Sequence, residues 1–168
     1  KEIQEKELNM LLYFKEFCDK HNLRFYLCGG GLIGAIRHKG FIPWDDDIDI
    51  MLRRDEYERL IDVLSPNNSN SQYKLWHYSN RATYQPCAKL YDNRTILGRS
   101  SDHMWTGVGV HVDIFPMDIL PSDELERTNF MKQMQSKAED LVSTGFPAFV
   151  SCSKWEYAIP RFFIRAPL

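Results

Sequence analysis

The sequence predicts an α+β fold, a mixed sheet flanked by helices. Apolar residues recur at helical spacing in residues 2–20 and again in 57–64. Two other stretches, 47–52 and 108–115, alternate apolar and polar residues at the two-residue period of a strand. The chain is 168 residues long, 43% hydrophobic and 26% charged, which fits one soluble globular domain spanning 1–168 with enough residues to bury a core.

In order, Leu8, Leu11, Leu12, Phe14, Phe17 and Cys18 mark residues 2–20 as an amphipathic helix. Residues 24–28 read as a short strand running into the turn Gly29-Gly30-Gly31. A brief helix at 32–38 follows, stopped by Gly40 and Pro43. In the next strand Ile48, Ile50 and Leu52 share one face, with Asp47 and Asp49 on the other. Tyr57, Leu60, Ile61 and Leu64 define a helix ended by Pro66. Strands are expected at 73–78, 86–91 and 108–115; in the last, Val110, Val112 and Ile114 oppose His111 and Asp113. Residues 122–143 read as a helix whose Met-containing stripe suits packing rather than ligand binding. A final aromatic-rich helix is expected at 154–165.

Composition removes several classes. A net charge of −2 gives no electrostatic case for a nucleic-acid partner. Cys18, Cys28, Cys87 and Cys152 are widely spaced with no CxxC pair, so free buried thiols in a reducing compartment are expected. No run is apolar and long enough to span a bilayer, and the charged N-terminal segment is no signal peptide. The expectation is a cytoplasmic bacterial protein, acting at the inner face of the membrane if its substrate lies there. The chain does not open with Met, which marks it as a candidate fragment.

The chemistry concentrates in Asp45, Asp46, Asp47 and Asp49, four carboxylates in five positions where an apolar strand begins. Two on one strand face lie about 7 Å apart, and such crowding raises their proton affinity unless a cation intervenes. Mg²⁺ or Mn²⁺, which prefer oxygen ligands, would relieve it. The plainer reading is a solvated acidic turn; the flanking Trp44, Ile48 and Ile50 weigh against it. If strand 108–115 lies beside strand 47–52, Asp113 meets Asp47 and Asp49. Three such acids can hold metal, clamp a phosphoryl group and deprotonate a hydroxyl.

Two other motif readings fail. Gly29-x-Gly31-x-x-Gly34 fits the dinucleotide fingerprint, but its helix is too short for the crossover and the acids begin the next strand rather than end it. Asp45, Asp47, Asp49 and Glu56 fit calcium-loop spacing, but position six is Ile50 where the turn needs Gly. A metal-binding Asp-x-Asp of the glycosyltransferase kind usually comes later, after a longer nucleotide-binding half, and stays as a weaker alternative. The order strand, Gly-rich turn, helix, acid-bearing strand is that of the nucleotidyltransferase fold, where the turn holds phosphates and the acids hold metal.

The segment GGGLIGAIRHKGFIPWDDDIDI at 29–50, with AKLYDNRT at 88–95 and HVDIFPMD at 111–118, resembles the LicD family in motif and order, from Glu7 to about Leu120. The resemblance implies a metal-dependent phosphotransferase that moves phosphocholine from CDP-choline to a sugar hydroxyl of teichoic acid or lipopolysaccharide. Relatives such as fukutin-related protein transfer ribitol phosphate from CDP-ribitol. It implies metal-binding acids at Asp45, Asp47, Asp49 and Asp113, the family's basic stretch at Arg37 and His38, and its AK lysine at Lys89. Gly29, Gly30 and Gly31 fall on the phosphate-holding turn, though the family often has Ser or Thr where Gly31 stands. Family members also run well past this length, so a C-terminal part carrying acceptor or alcohol recognition is expected to be missing.

On this reading Asp47, Asp49 and Asp113 are catalytic, Asp113 as general base, while Lys89 and Arg37 neutralise phosphoryl charge. Simpler roles stand beside these. Arg37 is also placed to complement a helix C-terminus, His38 to lie on the surface, His111 to be structural, and Trp44 to pack over the acidic turn or meet a quaternary ammonium. Two alternatives remain: a nucleotidyltransferase that uses an NTP and releases pyrophosphate, and an inactive relative that binds nucleotide or glycan.

Overall fold

The computed structural model describes residues 1–67, 72–77, 87–96 and 109–144; the helix expected at 154–165 and Cys152 lie outside them. Contacts divide the chain into two compact units, residues 1–83 with 87–118, and residues 84–86 with 119–168.

In the first unit the order is α1 (Glu2–Lys20), β1 (Tyr26–Cys28), α2 (Gly29–Arg37), β2 (Asp49–Arg53), α3 (Arg54–Asn67), β3 (Tyr73–Trp76), β4 (Ala88–Asp92) and β5 (His111–Met117). The strands form one sheet in the order β1-β2-β5-β4-β3. β2 and β5 run parallel, while β1–β2, β4–β5 and β3–β4 are antiparallel. This is the mixed, helix-flanked sheet of the expected α+β class.

The strand alternation decides the core. Ile48, Ile50 and Leu52 from one stretch, and Val110, Val112 and Ile114 from the other, are all buried. They pack with Leu75, Ala88 and Leu90 of the sheet, Met10, Phe14 and Cys18 of α1, and Tyr57, Leu60, Ile61 and Leu64 of α3. Burying this many large apolar side chains is the main stabilising term, about 1.5–3 kcal/mol for each.

Two helix ends and part of one helix face differ from the sequence expectation. The three glycines form the first turn of α2 instead of a turn preceding it. Pro66 sits within the last turn of α3 instead of ending it early. On α1 the buried face is Glu7, Met10, Phe14 and Cys18, whereas Leu8 and Leu12 are exposed. Of the expected stripe, Phe14 and Cys18 are buried and Leu11 and Phe17 pack against the core, so it holds apart from those two leucines, and Glu7 takes the inward position beside Leu8. α1 then ends on Asn22 in the left-handed region, with the Leu23 N–H donating to the Cys18 carbonyl at 2.9 Å.

The second unit contributes α4 (Glu124–Thr144). Asp123 caps it, its Oδ1 accepting from the Glu126 N–H at 2.9 Å. Of its expected apolar stripe, Leu125, Met131 and Met134 are exposed, so packing does not account for them among the described residues. No helix among those residues is long and apolar enough to cross a membrane.

Candidate active site

β1 passes directly into α2 at Cys28–Gly29, and the backbone there is shaped by carboxylates. Gly29 has φ +53°, a left-handed conformation that glycine adopts without a Cβ penalty. A Cβ on it would stand 2.7 Å from Asp49 Oδ2, and one on Gly30 would run into the Asp45 carboxylate. These two glycines therefore let Asp45 and Asp49 stand against the first turn of α2, where unsatisfied N–H groups carry partial positive charge. Gly31 differs. A Cβ there would meet only ordinary contacts at 3.7 Å, with the Asp49 carbonyl and Leu27, so a serine or threonine would fit. Gly31 also borders an apolar cavity of about 450 Å³ between α1 and α2, lined by Leu8, Leu11, Ala35 and Ile48.

The chain returns from the far end of α2 over Gly34, whose Cβ would meet the Gly40 carbonyl at 2.5 Å and the Ile42 nitrogen at 3.0 Å. Lys39 takes a left-handed φ of 57° to make this reversal. A turn with the Asp45 N–H on the Ile42 carbonyl, 3.0 Å, then aims the acidic run back toward the glycines. The Gln4 side-chain amide of α1 holds the Asp45 carbonyl at 2.8 Å.

One rung crosses all five strands at this point. Cys28 pairs with Asp49, Asp49 with Asp113, Asp113 with Lys89, and Lys89 with Trp76. The adjacency that parity alone suggested is thus present, and Asp113 meets Asp49 across the parallel pair. The buried Lys89 sets its Nζ 2.5 Å from Asp113 Oδ1. His111 Nε2 lies 3.7 Å from the same oxygen, while its Nδ1 is 3.0 Å from the Gly109 carbonyl.

Electrostatics follows the crowding. Partial burial raises the Asp47 pKa, followed by repulsion from Asp45 and a side-chain hydrogen bond with it. Burial also raises that of Asp49, with Asp47, Asp113 and Asp45 adding to it and Lys89 opposing. The largest effect falls on a residue that sequence reasoning missed. Glu7 is 2% exposed, and burial, then Asp47, Asp46, Asp45 and Asp113, push its carboxyl up to about 8. Its Oε2 is buried without a hydrogen-bond partner. A signal existed in the sequence: Glu7 precedes Met10 and Phe14 by three and seven residues, an acid on the apolar face of its helix.

Not every expected residue joins this centre. Arg37 is in the last turn of α2 and exposed, as is His38 beyond it. Seven residues of helix, about 10 Å, separate Arg37 from Gly30. Trp44 is 81% exposed and meets the His38 ring edge-on with centroids 6.4 Å apart, so it does not pack over the acidic turn. Cys18 and Cys87 are buried free thiols and Cys28 is half-buried.

A hard dication suits the donor chemistry here: all-oxygen ligands, the proton affinities of Asp47 and Asp49 raised, and a buried carboxylate oxygen of Glu7 lacking a partner. As the side chains stand, no three His, Cys, Asp or Glu groups among the described residues converge into a ready metal cage. Asp113 instead has the Lys89 ammonium as its cation.

Residues 22–142 match the family model described as the LicD/FKTN/FKRP nucleotidyltransferase domain. The chain belongs to this family. Over 126 residues it is 40% identical to the lipopolysaccharide cholinephosphotransferase LicD of Haemophilus influenzae, covering 69% of this chain and 43% of that protein. It is 27% identical over 125 residues to an uncharacterized protein of Rickettsia typhi, covering 73% of this chain and 38% of that one. The chain thus spans less than half the length of these relatives. Within the LicD match lie the glycine turn, the acidic run, Lys89 and Asp113.

Proposed function

We propose that this chain is the catalytic domain of a metal-dependent phosphotransferase that moves a phospho-alcohol, phosphocholine as first choice, from a CDP-alcohol to a sugar hydroxyl of a cell-surface glycan. The observation that carries this reading is the rung Asp49–Asp113–Lys89 set beside the glycine-led N-terminus of α2. The choice of choline rests on the Haemophilus relative, a lipopolysaccharide cholinephosphotransferase, whose name gives lipopolysaccharide as the acceptor class; teichoic acid is the corresponding acceptor in a cell without it.

Asp47, Asp49 and Asp113, with Asp45 beside them, would hold Mg²⁺ or Mn²⁺, which would withdraw charge from the phosphate oxygens. The first turn of α2 would receive the diphosphate through backbone N–H groups of Gly29, Gly30 and Gly31. The acceptor hydroxyl oxygen bonds to the phosphorus that carries the alcohol, and the bond from that phosphorus to the CMP oxygen breaks. Lys89 has two anions to serve. Drawn from Asp113 to the non-bridging oxygens, it steadies the charge that builds there. Asp113, so released, accepts the hydroxyl proton as general base. Arg37, His38 and Trp44, on the open end of α2, are assigned to outer parts of the donor or acceptor.

Phosphorus NMR tests this with the protein, Mg²⁺ or Mn²⁺, CDP-choline, CDP-ribitol and NTPs, with and without bacterial glycans. The expected result is metal-dependent CMP release from a CDP-alcohol. Pyrophosphate from an NTP would replace the reading with nucleotidyl transfer. Nucleotide binding without turnover, repeated on a chain of the relatives' full length, would make this a binding relative.

A further inference from the structure

We infer that Glu7 of α1 is a fifth carboxylate of the acidic centre and supplies an oxygen to the cation held by Asp47, Asp49 and Asp113. The inference rests on the phosphotransferase reading only in assuming that those acids bind a divalent cation.

Glu7 occupies a position that packing alone would give to an apolar residue. It lies on the buried face of α1, three residues before Met10 and seven before Phe14, both fully buried. A buried carboxylate without a partner is costly, and native structures keep few of them. No cation among the described residues pairs with Glu7, and its Oε2 has no hydrogen-bond donor. Its charged neighbours make the position worse for a structural role, because Asp45, Asp46, Asp47 and Asp113 are all close enough to repel it.

The direction it faces is fixed by its helix. Gln4, one turn earlier, reaches the Asp45 carbonyl at 2.8 Å, so this face of α1 abuts the acidic run. Glu7 therefore enters the centre from the helix layer, while Asp49 and Asp113 enter from the sheet. A cation between the layers would give Oε2 the partner it lacks and set the carboxylates of Glu7, Asp47, Asp49 and Asp113 around one positive charge. It would also tie α1 to β2 and β5. Reading Glu7 as a packing accident leaves both the unpartnered oxygen and the Gln4 contact without a purpose.

The test is calorimetric titration of the full chain with MnCl₂ alone, no nucleotide present, for wild type, Glu7→Gln and Asp49→Asn. Circular dichroism spectra and melting curves establish that each variant is folded. Loss of a group that merely orients a ligand weakens metal binding by about 10–100-fold, and Glu7→Gln, which replaces a ligating carboxylate, is expected to weaken it at least as much. Glu7→Asp, which keeps the charge but shortens the reach, is expected to recover part of the affinity. Wild-type affinity in Glu7→Gln, with binding lost in Asp49→Asn, would overturn the role of Glu7 and leave the metal reading intact. Should wild type itself take up no Mn²⁺, both fall together. If Glu7→Gln does not fold, Glu7→Asp decides: unchanged affinity there counts against the inference, and weakened affinity supports it.

Discussion

Asp49 and Asp113 face each other across the parallel pair of β2 and β5, neighbours in space though 64 positions apart in the chain. Parallel neighbours of this kind need a long connection, and here it runs through α3, β3 and β4. One of the strands so inserted, β4, carries Lys89 into the rung next to Asp113. The topology that brings two like charges together thus also delivers the cation between β5 and the far side of the sheet.

Removing one acid separates catalysis from stability. Asp49→Asn takes a half-buried carboxylate out of a cluster whose members already raise its proton affinity, so the metal-free variant should melt at or slightly above the wild-type temperature. Turnover should fall by at least about a hundredfold, the scale for losing a group that stabilises developing charge. CMP release and a melting curve on the same preparation check both. Full activity would remove Asp49 from the site.

For Lys89→Met the balance is different, because Asp113 then loses the ammonium 2.5 Å away. A destabilisation of about 1–3 kcal/mol is expected from leaving a partly buried acceptor unpaired, together with a larger loss in kcat. A collapse in melting with no separate catalytic loss would make Lys89 structural only.

Much of this arrangement was legible in the sequence because period-two alternation survives burial. Ile48, Ile50 and Leu52 against Asp47 and Asp49, and Val112 and Ile114 against Asp113, assigned faces correctly, and parity then suggested the Asp49–Asp113 meeting. Helices were read less well. The α1 stripe finds Phe14 and Cys18 but not Glu7, which is buried with them; a residue kept inside for charge rather than apolar area violates the pattern on which such a stripe depends. Trp44 failed for the opposite reason. Its apolar surface suggested packing, but the reversal at Ile42–Asp45 turns it outward to 81% exposure.

The pH dependence of the metal-free chain follows from Glu7. Its folded pKa of about 8 lies above the ordinary 4.5, so between these values the folded state binds more protons than the unfolded state. Stability contributed by the neutral carboxyl is therefore present below about pH 4.5 and lost as pH rises through about 8. Asp47 and Asp49, also raised, act in the same direction. Urea midpoints measured in a chelating buffer from pH 5 to 9 should decline for wild type and decline less for Glu7→Gln. Equal slopes would mean that Glu7 ionises no differently in the folded and unfolded chains.

The two leading glycines give a steric prediction. Gly31 has room for a side chain, whereas a Cβ on Gly30 would enter the Asp45 carboxylate. Gly31→Ser should therefore retain fold and activity, and its hydroxyl could add a donor to a bound phosphate. Gly30→Ala must displace Asp45, whose carbonyl Gln4 also holds; it should lower kcat/KM by about tenfold or more, the kind of cost that follows from misplacing a group by an ångström. Steady-state CMP release from both variants compares them directly. A harmless Gly30→Ala would mean that the Asp45 carboxylate need not stand against the first turn of α2 for the reaction.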